Sequence, residues 1–143
     1  MNIKKLEDLK FGLKNEEKIL TIIRKYFKSN TIFKTTYTYD QYDFIDKKNK
    51  IIIELKSRRI KKLQYHDIMI GLNKITEGFK HIKNGYTTYL FFSFTDTISF
   101  YELNSKTYKK SWERIGGRID RNKNEICKCS YIPTTELIDI NIN

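Results

Sequence analysis

Between Thr31 and Leu55 the chain drops helical periodicity and runs through three β-type blocks, TIFKTTYTYD, YDFID and IIIEL. Only the polar turn KKNK separates the last two. Runs of β-branched and aromatic residues bounded by turn residues form strands, so three consecutive antiparallel strands are expected at residues 32–39, 42–46 and 51–56. On both sides the period is helical. In residues 15–28, Ile19, Leu20, Ile23 and Phe27 make one stripe, with Gly12 and Asn15 as start signals. Over residues 63–84, Ile68, Leu72, Ile75, Phe79 and Ile82 make a second, with Gly85 as its stop. Gly71 and Gly78 inside that helix each weaken it by about 1 kcal/mol against alanine. YTTYLFFSF and ISFYEL then read as two more strands around Thr95-Asp96-Thr97. Helix, three strands, helix, strands predicts an α/β layer fold with a mixed β-sheet flanked by helices.

The length of 143 residues, one proline and the absence of repeats or a Gly/Ser linker point to a single domain over residues 1–143. No apolar run is long enough to span a bilayer, and MNIKKLEDLK lacks the apolar block of a secretory signal. The expectation is an intracellular protein that does not engage a membrane. Cys127 and Cys129 have no second pair with which to complete a zinc site, and read as reduced thiols. The formal charge of +11 makes a polyanion the default partner, and nucleic acid is the commonest one. A lysine-rich composition that only solubilises the chain is the competing explanation, so the placement of charge has to decide.

Placement singles out residues 42–59, YDFIDKKNKIIIELKSRR. If KKNK centres a symmetric hairpin, residues whose numbers sum to 97 face one another, which sets Phe44 opposite Ile53 and Asp43 opposite Glu54. Opposed side chains share a face with Cβ atoms about 5 Å apart, and Lys56 follows on that face by period two. Two carboxylates so close repel, and a cation between them resolves the conflict. An all-oxygen site open to water suits Mg²⁺, with Mn²⁺ as a substitute, and an adjacent lysine can orient or deprotonate an attacking water. As a string of letters the signal is weak: acid-x-Lys occurs four times, at Asp8, Glu16, Asp46 and Glu54. Only Glu54 follows an apolar strand and has an acid across a hairpin. The plainer reading makes Glu54 and Lys56 the solvated face of a half-buried strand, but a hairpin between two helices is covered on both sides, where unpaired carboxylates are costly.

Asp43, Glu54-Leu55-Lys56 and the order αβββαβ resemble the PD-(D/E)XK nuclease superfamily, whose core is restriction-endonuclease-like. The resemblance covers residues 12–103, leaving a basic C-terminal extension, 104–143, without a counterpart. It implies a metal-dependent nuclease that hydrolyses phosphodiesters, with Asp43 and Glu54 as metal ligands and Lys56 assisting the water. Tyr42-Asp43 stands where the family has Pro-Asp. Many members add a first-helix glutamate. Glu16 lies on the stripe of Ile19, Leu20, Ile23 and Phe27 and Glu17 does not, so Glu16 is the expected third carboxylate for metal and catalysis, although either acid could simply complement the helix dipole. Asp40 and Asp46 lie an odd number of residues from Asp43 and face away. His66 and His81 are remote from the hairpin.

Five basic residues in seven, Lys56–Lys62, follow the catalytic strand, so Arg58, Arg59, Lys61 and Lys62 are expected along a phosphate backbone. Tyr65, on the helical row of Ile68, Met69 and Leu72, and Lys74 are further candidates for phosphate contact, with a core position open to Tyr65. Basic residues from Lys106 to Lys123, interleaved with Tyr108 and Trp112, suit either stacking on unpaired bases or a charged surface over a packed tryptophan. DNA is the expected partner, with RNA left open. Small basic Holliday-junction resolvases of the superfamily work as dimers, so a structure-selective homodimer is one alternative. A module that binds nucleic acid without cutting is the other.

Overall fold

The computed structural model describes residues 3–36, 42–108, 112–116 and 127–140. Its elements are helix α1 (Ile3–Phe27), strands β1 (Phe33–Lys34), β2 (Phe44–Asp46), β3 (Ile51–Ser57) and β4 (Asp67–Gly71), helix α2 (Leu72–Lys83), strands β5 (Thr87–Ser93) and β6 (Ile98–Leu103), a short helix α3 (Ser105–Tyr108), and strands β7 (Trp112–Gly116), β8 (Cys127–Pro133) and β9 (Ile138–Asp139). Six strands form a mixed sheet in the order β1-β2-β3-β5-β6-β9, in which only β3 and β5 run parallel. A second sheet, β4-β8-β7, is antiparallel.

The large sheet is buried on both faces, as its apolar strands require. Ile53 and Phe91 meet Ile19 and Ile23 of α1 on one side, while Ile52, Leu90 and Phe92 join Ile75 of α2 and Ile68, Ile70 and Ile132 of the small sheet on the other. Even-numbered residues of β3 therefore face α2, and that is the face on which Glu54 and Lys56 stand. The hairpin pairs in the expected register, Phe44 with Ile53, Ile45 with Ile52 and Asp46 with Ile51.

Several boundaries differ from expectation, β2 starting at Phe44 and β3 running on to Ser57 among them. α1 starts at Ile3 and runs through Gly12 and Asn15, because one glycine's cost of about 1 kcal/mol does not stop a helix of good formers. It ends where Lys28 takes a left-handed φ of 52°. The first expected strand is observed only as β1, and residues 37–41, Asp40 among them, lie outside the described residues.

The larger correction concerns residues 63–71. They are not helical: a 3-10 turn at Lys62–Gln64 leads into β4, where Ile68 and Ile70 are buried and Met69 is exposed. Period two prevails over the helical stripe because β8 pairs with this segment from Asp67↔Pro133 to Gly71↔Cys129, a non-local partner that local periodicity cannot register. Gly71 caps the helix instead of interrupting it. The order before α2 thus gains a strand over αβββαβ. The C-terminal segment supplies β8 to that pairing and β9 to the edge of β6, and Cys129 is buried in it. Arg114 lies in β7, whereas Lys109, Lys110, Arg118, Arg121 and Lys123 fall outside the described residues.

Candidate active site

The end of β2 builds the site. Asp43 N–H still donates to the Ile53 carbonyl at 3.0 Å, but the next donor on that edge of β3, Leu55 N–H, lies beyond the last β2 pair and is taken by Asp43 Oδ2 at 2.8 Å. A backbone donor left over at the end of a ladder needs such an acceptor. That bond holds the Asp43 carboxylate against β3 beside Glu54.

Glu54 is only 3% exposed. Burial first, then the hydrogen bond and charge of Asp43, push its carboxyl up to about 8, with Lys74 and Lys56 pulling the other way. Lys74 Nζ reaches across from the first turn of α2 to within 2.7 Å of Glu54 Oε2. Lys56, half-buried on the same face, has its pKa depressed by burial; the charge of Glu54 opposes this and those of Lys74 and Arg58 reinforce it. A buried acid whose carboxyl is raised, a second acid beside it and two amines, one of them made less basic, form an acid/base constellation rather than a surface charge pattern.

Tyr42 positions both halves. Its hydroxyl donates to the Lys74 carbonyl at 2.7 Å, tying the residue before Asp43 to the turn of α2 that carries Lys74. A Cβ on Gly78 would collide with that hydroxyl and with Leu103 Cδ2, so the interior glycine is what lets α2 lie this close. Burial, Glu54 and Glu77, in that order, raise the Tyr42 pKa, which keeps the phenol a donor. In the sequence Tyr42 has no role beyond standing where the family's proline stands. The one available signal for it was Gly78, a costly residue in a helix that had to be explained by a close approach.

The other expected residues divide. Glu16 is ion-paired with Lys34 of β1 at 3.0 Å, and α1 covers the face of the sheet opposite to Glu54 and Lys56. Its neighbour Asn15 donates to Ser57 Oγ at 3.0 Å, so α1 does touch the end of β3, through a pair the sequence did not single out. Arg58 donates to the carbonyls of Ser57 and Met69 at 3.2 and 3.3 Å, and burial lowers its pKa. Arg59 and Lys61 are exposed. Lys62, expected along a phosphate backbone, instead places Nζ 2.7 Å from Asp139 Oδ1: it bridges to the C-terminal segment, which β9 brings alongside. Tyr65, expected on a helical row, sits in the turn before β4 and is exposed. His81 pairs with Glu77 at 3.5 Å and lies against the Tyr42 ring, and the His66 carbonyl accepts from Thr134.

The family model described as "Phage putative PDDEXK endonuclease" matches residues 10–140. The chain belongs to this family. The match extends past Leu103, in keeping with the strand pairs that bind β8 and β9 to the rest of the PD-(D/E)XK fold. Neither a curated protein nor a solved structure matches the chain.

The donor set fits the metal that such nucleases usually employ. Among the described residues no group of three or more His, Cys, Asp or Glu side chains gathers as a metal cluster, and Glu16 does not join Asp43 and Glu54 to make one. Once Glu54 gives up its proton, two carboxylates beside a partly exposed lysine would suit a hard cation that keeps several of its waters. No helix among the described residues is long and apolar enough to cross a membrane.

Proposed function

We propose that this PD-(D/E)XK protein is a Mg²⁺-dependent nuclease that hydrolyses phosphodiester bonds in DNA, with Mn²⁺ able to substitute. The juxtaposition of Asp43 and Glu54 at the frayed end of the β2–β3 hairpin, with Lys56 on the same face, carries this reading. Asp43 and Glu54 hold the cation, which when bound supplies Lewis-acid stabilisation of the phosphate charge and a more acidic water. Lys56, its ammonium less stable than in water, orients the attacking water and accepts or shares its proton as the new P–O bond forms and the P–O bond to the leaving oxygen breaks. Lys74 keeps Glu54 partnered and stands ready for a phosphate oxygen. Arg58, Arg59 and Lys61 continue a basic edge for the backbone.

Labelled linear duplex, single strand, four-way junction and RNA, incubated with and without Mg²⁺ or Mn²⁺, test the assignment. The parent protein cuts DNA only with metal, while Asp43→Asn and Lys56→Ala bind it and leave it intact. Cutting by Asp43→Asn at the parent rate would disprove the site. A parent that binds every substrate and cuts none is a binding module instead.

A further inference from the structure

The stretch joining β3 to β4 displays two large side chains that the core does not take up, Leu63 at 77% and Tyr65 at 58% exposure. One such residue is ordinary on a protein surface. Here both stand on a turn that the protein holds fast from several directions. Lys62 N–H donates to Asp96 Oδ1 at 3.0 Å and Lys62 Nζ to Asp139 Oδ1 at 2.7 Å. Thr95 N–H donates to the Ile60 carbonyl, Gln64 N–H to the Lys61 carbonyl and Thr134 N–H to the His66 carbonyl. A turn ordered beforehand loses little entropy on binding, so its apolar groups are presented ready for use.

The surroundings identify the occupant. Arg58, Arg59 and Lys61 precede the turn, and Met69, partly exposed, follows it, its carbonyl taking the Arg58 guanidinium at 3.3 Å. The Asp96 bond ties the turn to the loop that follows β5, the parallel neighbour of β3, so the turn lies at the sheet edge where β3, with Lys56 near its C-terminal end, also ends. Two or three side chains fall far short of the roughly 800 Å² per partner of a standard protein interface, whereas the cations around them and the formal charge of +11 favour a polyanion. Apolar side chains among cations are what inserts between bases or receives them once unstacked.

We infer that Leu63 and Tyr65 form a rigid wedge for unpaired nucleobases at the sheet edge that holds the scissile phosphate, so that the enzyme prefers DNA with a single-stranded or distorted segment. This rests on the nuclease reading above and names its substrate class. The test uses the full chain carrying Asp43→Asn, which binds without cutting, and two probes of one sequence, an intact duplex and a gapped duplex with 2-aminopurine in the gap. The Asp43→Asn protein favours the gapped probe and changes its fluorescence. Adding Leu63→Ser and Tyr65→Ser lowers the gapped-over-intact preference at least fivefold and removes the fluorescence change, and Leu63→Met with Tyr65→Phe restores both. An unaltered preference, or equal losses on the two probes, overturns the wedge. So does light scattering that shows a dimer dissociated by the serine substitutions. Cleavage by the parent protein is scored separately: a parent that cuts while the preference ignores Leu63 and Tyr65 loses only the wedge, and a parent that cuts nothing loses the nuclease reading itself.

Discussion

One short hairpin carries two buried carboxylates with opposite electrostatic fates. Asp46, fully buried near the turn, accepts from Ser29 Oγ at 2.6 Å, Thr31 Oγ1 at 2.8 Å, Asn49 N–H at 3.0 Å and Asn49 Nδ2 at 2.8 Å. Burial raises its pKa, but these hydrogen bonds together outweigh that and leave the carboxyl well below the ordinary range. Glu54, also buried, meets a second acid and a lysine and is pushed up to about 8. The first environment is complete, with a donor for each oxygen, and needs nothing more. The second favours a proton or an added cation. Burial alone separates neither residue from a structural role; the partners do.

The largest expected effects cross this comparison. Asp43→Asn and Glu54→Gln lower the cleavage rate by about 10³-fold or more and leave a folded protein, as read by circular dichroism alongside single-turnover kinetics. Asp46→Asn does the reverse. It sets an amide N–H₂ among donors and costs about 3 kcal/mol in urea unfolding, while the rate per folded molecule stays within a few-fold of the parent. A folded Asp46→Asn protein that cannot cut would erase the distinction.

Much of this contrast was legible beforehand. The KKNK turn and the apolar run after it fix the register, and the register places Asp43 beside Glu54 and turns Asp46 away. What escaped was non-local. Ile68 and Ile70 fit a helical stripe as well as a strand until β8, some sixty residues on, decides between them. Glu16 shares a stripe with core residues, yet the stripe says nothing about Lys34, which meets it in space. Lys62 belongs by sequence to a basic run and by structure to Asp139. Charge is readable from sequence; a charge's partner is readable only when a strand register fixes it.

Gly78→Ala sharpens the comparison from the helix side. The added methyl gains about 1 kcal/mol of helix propensity but strikes the Tyr42 hydroxyl and Leu103, for a net loss of about 1–2 kcal/mol. Because Tyr42 also holds the Lys74 carbonyl, Lys74 shifts away from Glu54 and the rate falls together with the thermal midpoint. Asp46 has no link to α2, so its low pKa, followed by NMR titration, stays where it is. If the rate is unchanged despite lost stability, Lys74 has no part in the chemistry.

The two carboxylates also oppose each other in their pH dependence. Asp46 titrates lower folded than unfolded, so its stabilisation is present above the ordinary carboxylate range and disappears as pH falls through the folded value. For Glu54, raised from 4.5 to about 8, the folded state binds the extra proton between those values, so metal-free stability declines as pH rises across that window. Thermal unfolding in EDTA therefore shows a downward slope from pH 5 to 8 that Glu54→Gln flattens. Mg²⁺, which binds the ionised pair, offsets the decline most at pH 8. A slope that survives Glu54→Gln would assign it to another group.

The smallest effect belongs to Glu16. Its carboxylate already has Lys34 at 3.0 Å and approaches from the face opposite to Glu54, so Glu16→Gln removes a partly exposed ion pair worth at most about 1 kcal/mol. The expected loss of cleavage rate is less than tenfold, with the Mg²⁺ concentration for half-maximal activity rising two- to threefold at most. A loss as large as that of Asp43→Asn would mean that α1 releases Lys34 when metal and substrate bind and delivers a third carboxylate. The difference between Asp43 and Glu16 in that measurement separates a metal site held by the hairpin from one completed by the helix.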